Sequence, residues 1–158
     1  MNLIVALDDH QGMLFNHRRQ SQDRILREKI LSLSKGHGLW MNAYSAKQFA
    51  DMPIQTGGSA TDDSADGGDV PDPQTQMLHI DEDFLQKAPA GDFCFVENID
   101  VSPYREAFEH IIIFRWNRRY PGDFFFPLSL DGWKLLSAED FAGSSHKLIT
   151  KEVYTHES

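Results

Sequence analysis

The run Leu3-Ile4-Val5-Ala6-Leu7 constrains this chain more than any other feature. Five consecutive apolar residues carry no alternation, so the strand they form must be covered on both faces, the situation of an inner strand in a mostly parallel sheet. Asp8-Asp9-His10-Gln11-Gly12 ends the run with turn-forming residues. A second such run, Phe93-Cys94-Phe95-Val96, lies much later, with helical segments between. Two doubly buried strands separated by helices imply parallel neighbours joined by crossovers. The expected fold class is α/β, with residues 3–7 as an inner strand and residues 93–96 beside it.

The intervening pattern is consistent with that expectation. Ser21 can cap a helix in which Ile25, Leu26, Ile30 and Leu33 recur at helical spacing, while Arg24 and Glu28 pair on the wet side. Lys35-Gly36-His37-Gly38 stops it, and Leu39-Trp40-Met41 reads as a second strand. Residues 43–50 form a further helix with Tyr44, Ala46, Phe49 and Ala50 on one side. From Met52 to Gln76 the composition shifts to Gly, Ser, Thr, Asp, Pro and Gln, with Ile54 and Val70 the only aliphatic residues larger than Ala. Such a segment buries too little apolar surface to offset its ordering entropy, so an exposed, mobile loop without a central strand is expected. Order resumes at Met77-Leu78-His79-Ile80, followed by a short helix over 81–88 ended by Pro89 and Gly91, and by a helix started by Pro103. The alternation of residues 147–154 suits a terminal antiparallel strand.

At 158 residues the chain is expected to be one domain. A formal charge of −9 disfavours nucleic acid or an anionic membrane as partner, since both reward clustered cations. Basic residues at Arg18-Arg19 and from Arg115 to Arg119 read as solvated charge flanking strands. The single Cys94 sits in an apolar run and reads as a small core residue. No charged leader or long hydrophobic span is present, so a soluble, cytoplasmic protein is expected.

The order of these pieces resembles the dihydrofolate reductases. The resemblance is carried by residues 3–8, the Gly12-Met13-Leu14-Phe15-Asn16 loop, Asp23 at a helix start, and the strand Phe93-Cys94-Phe95-Val96. It continues through Tyr104-Arg105-Glu106-Ala107-Phe108, Ile111-Ile112-Ile113-Phe114, Gly122-Asp123-Phe124-Phe125-Phe126-Pro127, Trp133 and Ser144-Ser145-His146. The fold it implies is a mostly parallel central sheet with antiparallel C-terminal edge strands and flanking helices. It implies NADPH as cofactor and Asp23 as the buried acid that binds the pterin ring and assists protonation. Val5, Phe15, Ile99 and Phe114 fall on the substrate side of that pattern, and Ser45, Glu97, Asn98 and Tyr104 on the cofactor side.

This chain departs from the family where phosphate is gripped. Asn42-Ala43-Tyr44-Ser45 stands where a Gly-Arg-His/Lys-Thr run opens a helix against phosphate, and Ser45 alone keeps the hydroxyl of the last position. Glu97-Asn98 replaces two glycines against which pyrophosphate rests, adding side-chain volume and an anion. The polar segment 53–76 occupies the place of the adenosine-binding strand and loop. On the substrate side no Arg lies between Arg27 and Arg105 to clamp a glutamate tail, and Phe114 replaces the Thr that joins acid to pterin. Phe15, Trp40, Ile99 and Tyr104 remain to line a cleft against Asp23. In that cleft desolvation raises the Asp23 pKa; alternatively Asp23 simply improves the helix start.

Other chemistries find less purchase. Asp62-Asp63-Ser64-Ala65-Asp66-Gly67 imitates the start of a calcium loop, but Pro73 stands where a bidentate Glu is needed. Gly57-Gly58 and Gly67-Gly68 follow no strand and read as linker glycine rather than phosphate loops. Seven scattered histidines give no metal-ligand spacing, so no metal site is expected. Gly143-Ser144-Ser145-His146 reads as turn chemistry rather than a nucleophile. The expected function is a divergent dihydrofolate reductase-like protein binding a small molecule with altered or lost catalysis. The alternatives are a working NAD(P)H-dependent reductase of a pterin-like substrate and a structural or interaction protein.

Overall fold

The computed structural model of the chain describes residues 1–50, 55–56 and 77–156. The apolar run becomes strand β1 (Asn2–Leu7), flanked in parallel by β7 (Phe93–Phe95) and β8 (His110–Arg115). Outward from β7 the parallel sheet continues through β4 (Gly38–Met41), β6 (Met77–Ile80) and the two-residue β5 (Gln55–Thr56). On the other side β11 (Ile149–His156) and β10 (Trp133–Phe141) add antiparallel, giving the order β10-β11-β8-β1-β7-β4-β6-β5. A small second sheet holds β2 (Gly12–Phe15), β3 (Arg18–Arg19) and β9 (Phe124–Phe125). The α/β class and the mostly parallel sheet with antiparallel C-terminal edge are as the sequence predicts.

Both faces of β1 are covered, which is why its sequence does not alternate. Leu3, Val5 and Leu7 join Cys94, Val96, Ile111, Ile113 and Phe108 in one core layer. Ile4 joins Phe95, Ile112 and Phe114 in the other, where α1 (Arg24–Leu33) lays down Leu26 and Ile30. Burying two such side chains contributes on the order of 3–6 kcal/mol, the main reason a ten-residue helix holds. Two shorter helices, α2 (Ala43–Ala46), extended by a 3-10 turn over Lys47–Phe49, and α3 (Phe84–Lys87), complete the helical content of the described residues together with a 3-10 turn over Ser102–Ala107.

Two local expectations are corrected. The cap of α1 is Asp23, whose carboxylate accepts from Ile25 and Leu26 amides, and Ser21 lies two residues outside the helix. The segment started by Pro103 is 3-10 rather than α, closing on bonds such as Tyr104 N–H to Val101 C=O at 2.9 Å. Within the segment expected to hold no central strand, Gln55–Thr56 pair with β6 at the outer edge of the sheet. The calcium-like run and both glycine pairs lie outside the described residues.

Candidate functional site

Asp23 sits where the chain leaves extended geometry (φ −155°, ψ 129°) to begin α1, and its carboxylate is fully covered. Oδ1 accepts from the amides of Ile25 at 2.9 Å, Leu26 at 3.2 Å and Ser144 at 2.9 Å. Oδ2 accepts from the Ser145 amide at 2.7 Å and from His146 Nδ1 at 2.9 Å. The Gly143-to-His146 turn approaches so closely that a Cβ on Gly143 would meet Asp23 Oδ2 at 2.4 Å, so only glycine fits. Burial by itself raises the acid's pKa. The His146 bond and the amides of Ser144, Ser145 and Leu26 outweigh it and hold the carboxyl well below the usual range. The expected upward shift is therefore reversed, because the acid faces five donors rather than an apolar cleft.

With Asp23 ionised, His146 carries its proton on Nδ1, so Nε2 is an acceptor. It meets Tyr120 Oη at 2.9 Å and Ser21 Oγ at 3.0 Å, and the ring stacks on Trp116 at 4.5 Å. Carboxylate, imidazole and hydroxyl follow the order of an acyl-transfer relay. Two hydroxyls share the one lone pair, however, and the enclosed space that Ser21 lines measures about 10 Å³, room for a water molecule. The arrangement ties the start of α1 to the turn before β11.

On the cofactor side the protein supplies its own anions. Asn42 caps α2, its Oδ1 accepting from the Ser45 amide at 3.0 Å and its Nδ2 donating to Asn98 Oδ1 at 2.9 Å. The Ala43 amide, which opens the helix, donates to Glu82 Oε2 at 2.9 Å. Glu97 is buried and gripped by Arg19, with Nε at 2.9 Å from Oε2 and Nη2 at 3.1 Å from Oε1, while Gln48 Nε2 donates to Oε2 at 2.8 Å. Arg19 lies over the Tyr44 ring at 4.5 Å and also donates from Nη2 to the Tyr44 carbonyl at 3.1 Å. Glu97 is thus a neutralised partner rather than the bare anion its sequence position suggests. Arg19, read as solvated charge, is a partly buried half of that pair. The Asn16-His17 loop, with φ of 58° and 65°, folds β2 back onto β3 and delivers it there. Ser45 Oγ is buried without a partner among the described residues.

The substrate-side residues are dispersed. Val5 is fully buried in one core layer, with Ile99 and Tyr104 packed against the same layer. Phe114 is fully buried in the other, edge-on to Phe141 at 6.1 Å. Phe15 is exposed. Leu26, Gln48, Phe95, Glu97 and Trp116 close around the 10 Å³ void that Ser21 lines. Ligand-sized space lies beside it: Arg24, Arg27, Lys47, Gln48, Ser144 and Ser145 border an open recess of about 450 Å³. Among the described residues Arg27 Nε is buried without a partner, and the Lys47 ammonium has none. Burial pushes the Cys94 thiol up to about 12, leaving it unreactive. Among the described residues no cluster of His, Cys, Asp and Glu is placed to hold a metal ion.

No family profile and no curated protein matches the chain. Among solved structures it is similar to the dihydrofolate reductase from Enterococcus faecalis complexed with NADP(H) and RAB-propyl. The identity is 12%, the TM-score 0.62, and the match covers 99% of this chain and 96% of that one. The fold is dihydrofolate reductase-like, at a sequence divergence that leaves function to the site itself. No helix among the described residues is long and apolar enough to cross a membrane.

Proposed function

We propose that this chain is a divergent dihydrofolate reductase-like protein that binds an anionic small molecule and has lost the reductase chemistry. The observation that carries this reading is the 450 Å³ recess bordered by Arg24, Arg27 and Lys47 in a protein of net charge −9. Among the described residues the only acid on its border is Asp23, whose charge is already met by hydrogen-bond donors. An oxyanion is the ligand such a recess favours, through the Arg27 guanidinium and the Lys47 ammonium, while Arg24 Nη1 is paired with Glu28 Oε2 at 2.9 Å.

Two self-made contacts oppose reduction. A proton donor works best with a pKa near the working pH and a path to substrate. Asp23 is covered and held ionised. A nucleotide phosphate would compete with Glu82 at the Ala43 amide and with the Glu97, Arg19 and Gln48 cluster where backbone approach is needed. Nucleic acid is not part of this reading, given the net charge.

Titration of the purified protein with NADPH, NADH, dihydrofolate, inorganic phosphate and glutarate, followed by Trp116 fluorescence, tests it. The two simple anions should give a saturable change that Arg27→Ala and Lys47→Ala each weaken by about tenfold, the loss of one charge-assisted contact. Micromolar NADPH affinity, or measurable dihydrofolate reduction, would overturn it.

A further inference from the structure

At the opposite end of the sheet a second cavity lies against the strand starts. Asn2, Phe93 and His110 open β1, β7 and β8, and by strand alternation they share a face with Ile4, Phe95 and Ile112. Helix α1 covers the later part of that face and ends at Leu33. Beyond it Leu33, Phe93, Ile112 and Val153 wall a cavity of about 390 Å³, with Asn2, His37, Gly91, Glu109 and His110 also lining it.

At the strand starts Asn2, Glu109 and His110 present acceptors. Asn2 Nδ2 donates to the Gly91 carbonyl at 3.4 Å, which turns Oδ1 toward His110 Nδ1 at 2.9 Å. That contact engages Nδ1 and leaves Nε2 without a partner among the described residues. Glu109 uses one oxygen twice: Oε2 accepts from the N-terminal ammonium at 2.7 Å and from the Gly91 amide at 2.9 Å. Oε1 has no partner among the described residues. The ammonium contact holds the Glu109 carboxyl below its ordinary pKa, so that oxygen is charged. Lys151 borders the other end, opposite Phe114, four residues along β8 from His110 and about 13 Å away at strand spacing. Its ammonium is drawn to Glu139 at 3.7 Å.

We propose that this cavity is a second ligand site, which takes a primary ammonium ion on a short apolar body such as an aryl or alkyl amine. The ammonium would donate to Glu109 Oε1 and His110 Nε2 while the apolar body lies over Phe93, Ile112 and Val153. Its length is limited to less than the distance to Lys151, which borders the cavity's other end. The site stands independently of the anion recess, which lies at the other end of α1.

The test is an NMR titration of the full chain at neutral pH with phenethylammonium, following the His110 ring and the Phe93 and Val153 signals. Phenylacetate and phenethyl alcohol are the charge-reversed and neutral controls. We expect saturable shifts at these residues with a Kd on the order of 1 mM, as suits a fragment of this size. Val153→Trp, which fills the cavity, should abolish them, and Glu109→Gln should weaken them about tenfold, the worth of one charged hydrogen bond. Equal or tighter binding of phenylacetate, shifts that survive Val153→Trp, or no saturation would overturn the proposal. Should Glu109→Gln fail to fold, Val153→Trp and the two controls still decide it.

Discussion

Oδ2 of Asp23 and Nδ1 of His146 lie 2.9 Å apart, both side chains covered, across 123 residues of sequence. That contact turns a residue resembling a reductase's proton donor into the anchor of a turn. Its first consequence is for stability. Asp23→Ala should remove a helix cap worth about 1 kcal/mol and leave the Ser144 and Ser145 amides and His146 without their acceptor, for a total of roughly 3–5 kcal/mol. Asp23→Asn keeps the size and one acceptor and should cost less. Urea unfolding midpoints measure both, and an Asp23→Ala loss below about 1 kcal/mol would contradict the anchoring role.

Acid should unfold the protein partly through this residue. The folded pKa of Asp23 is depressed. Between that value and the unfolded one near 3.9 the unfolded chain binds the extra proton, so stability rises with pH in that window. The contribution is complete above about pH 5 and declines as pH falls below about 4. Asp8, lowered by the Tyr120, Gly12 and His10 amides against its burial, acts with the same sign. Asp23→Asn should flatten the acid limb of stability against pH, and carboxyl NMR should place Asp23 below the ordinary carboxylate range.

Gly143→Ala should be harmful out of proportion to its size. The added Cβ would sit 2.4 Å from Asp23 Oδ2 and 2.9 Å from Ile149 Cδ1, neither of which has room to yield. A cost of about 1–3 kcal/mol is expected, as for overpacking a filled core. A melting temperature lowered by roughly 3–10 °C would express it.

Removing Glu97 should not restore a phosphate seat. Glu97→Ala leaves Arg19 without its bidentate partner. Arg19 keeps about 21% of its side-chain exposure, so the cost should be roughly 1–3 kcal/mol rather than that of a fully buried pair. Arg19→Met combined with Glu97→Ala should cost less than the sum of the two singles, a coupling readable in a double-mutant cycle. NADPH affinity should stay weak in every arm, including Glu97→Gly with Asn98→Gly, while Glu82 still holds the Ala43 amide.

What the sequence alone determined is what short-range pattern encodes. The unbroken run at residues 3–7 specifies a strand covered on both faces. The spacing of Leu26 and Ile30 specifies which side of α1 is buried, and the alternation near the C-terminus specifies an antiparallel edge. Hydrophobic burial is nearly indifferent to the partner's identity, so these features survive at 12% identity to a solved relative in fold. The site was decided in three dimensions. Asp23 with His146, Arg19 with Glu97 and Glu82 with the Ala43 amide join positions 123, 78 and 39 residues apart. A carboxylate at a helix start reads identically in sequence whether it faces a ligand or a folded-back turn. Only the tertiary arrangement of donors around it selects its charge, its exposure and therefore its chemistry.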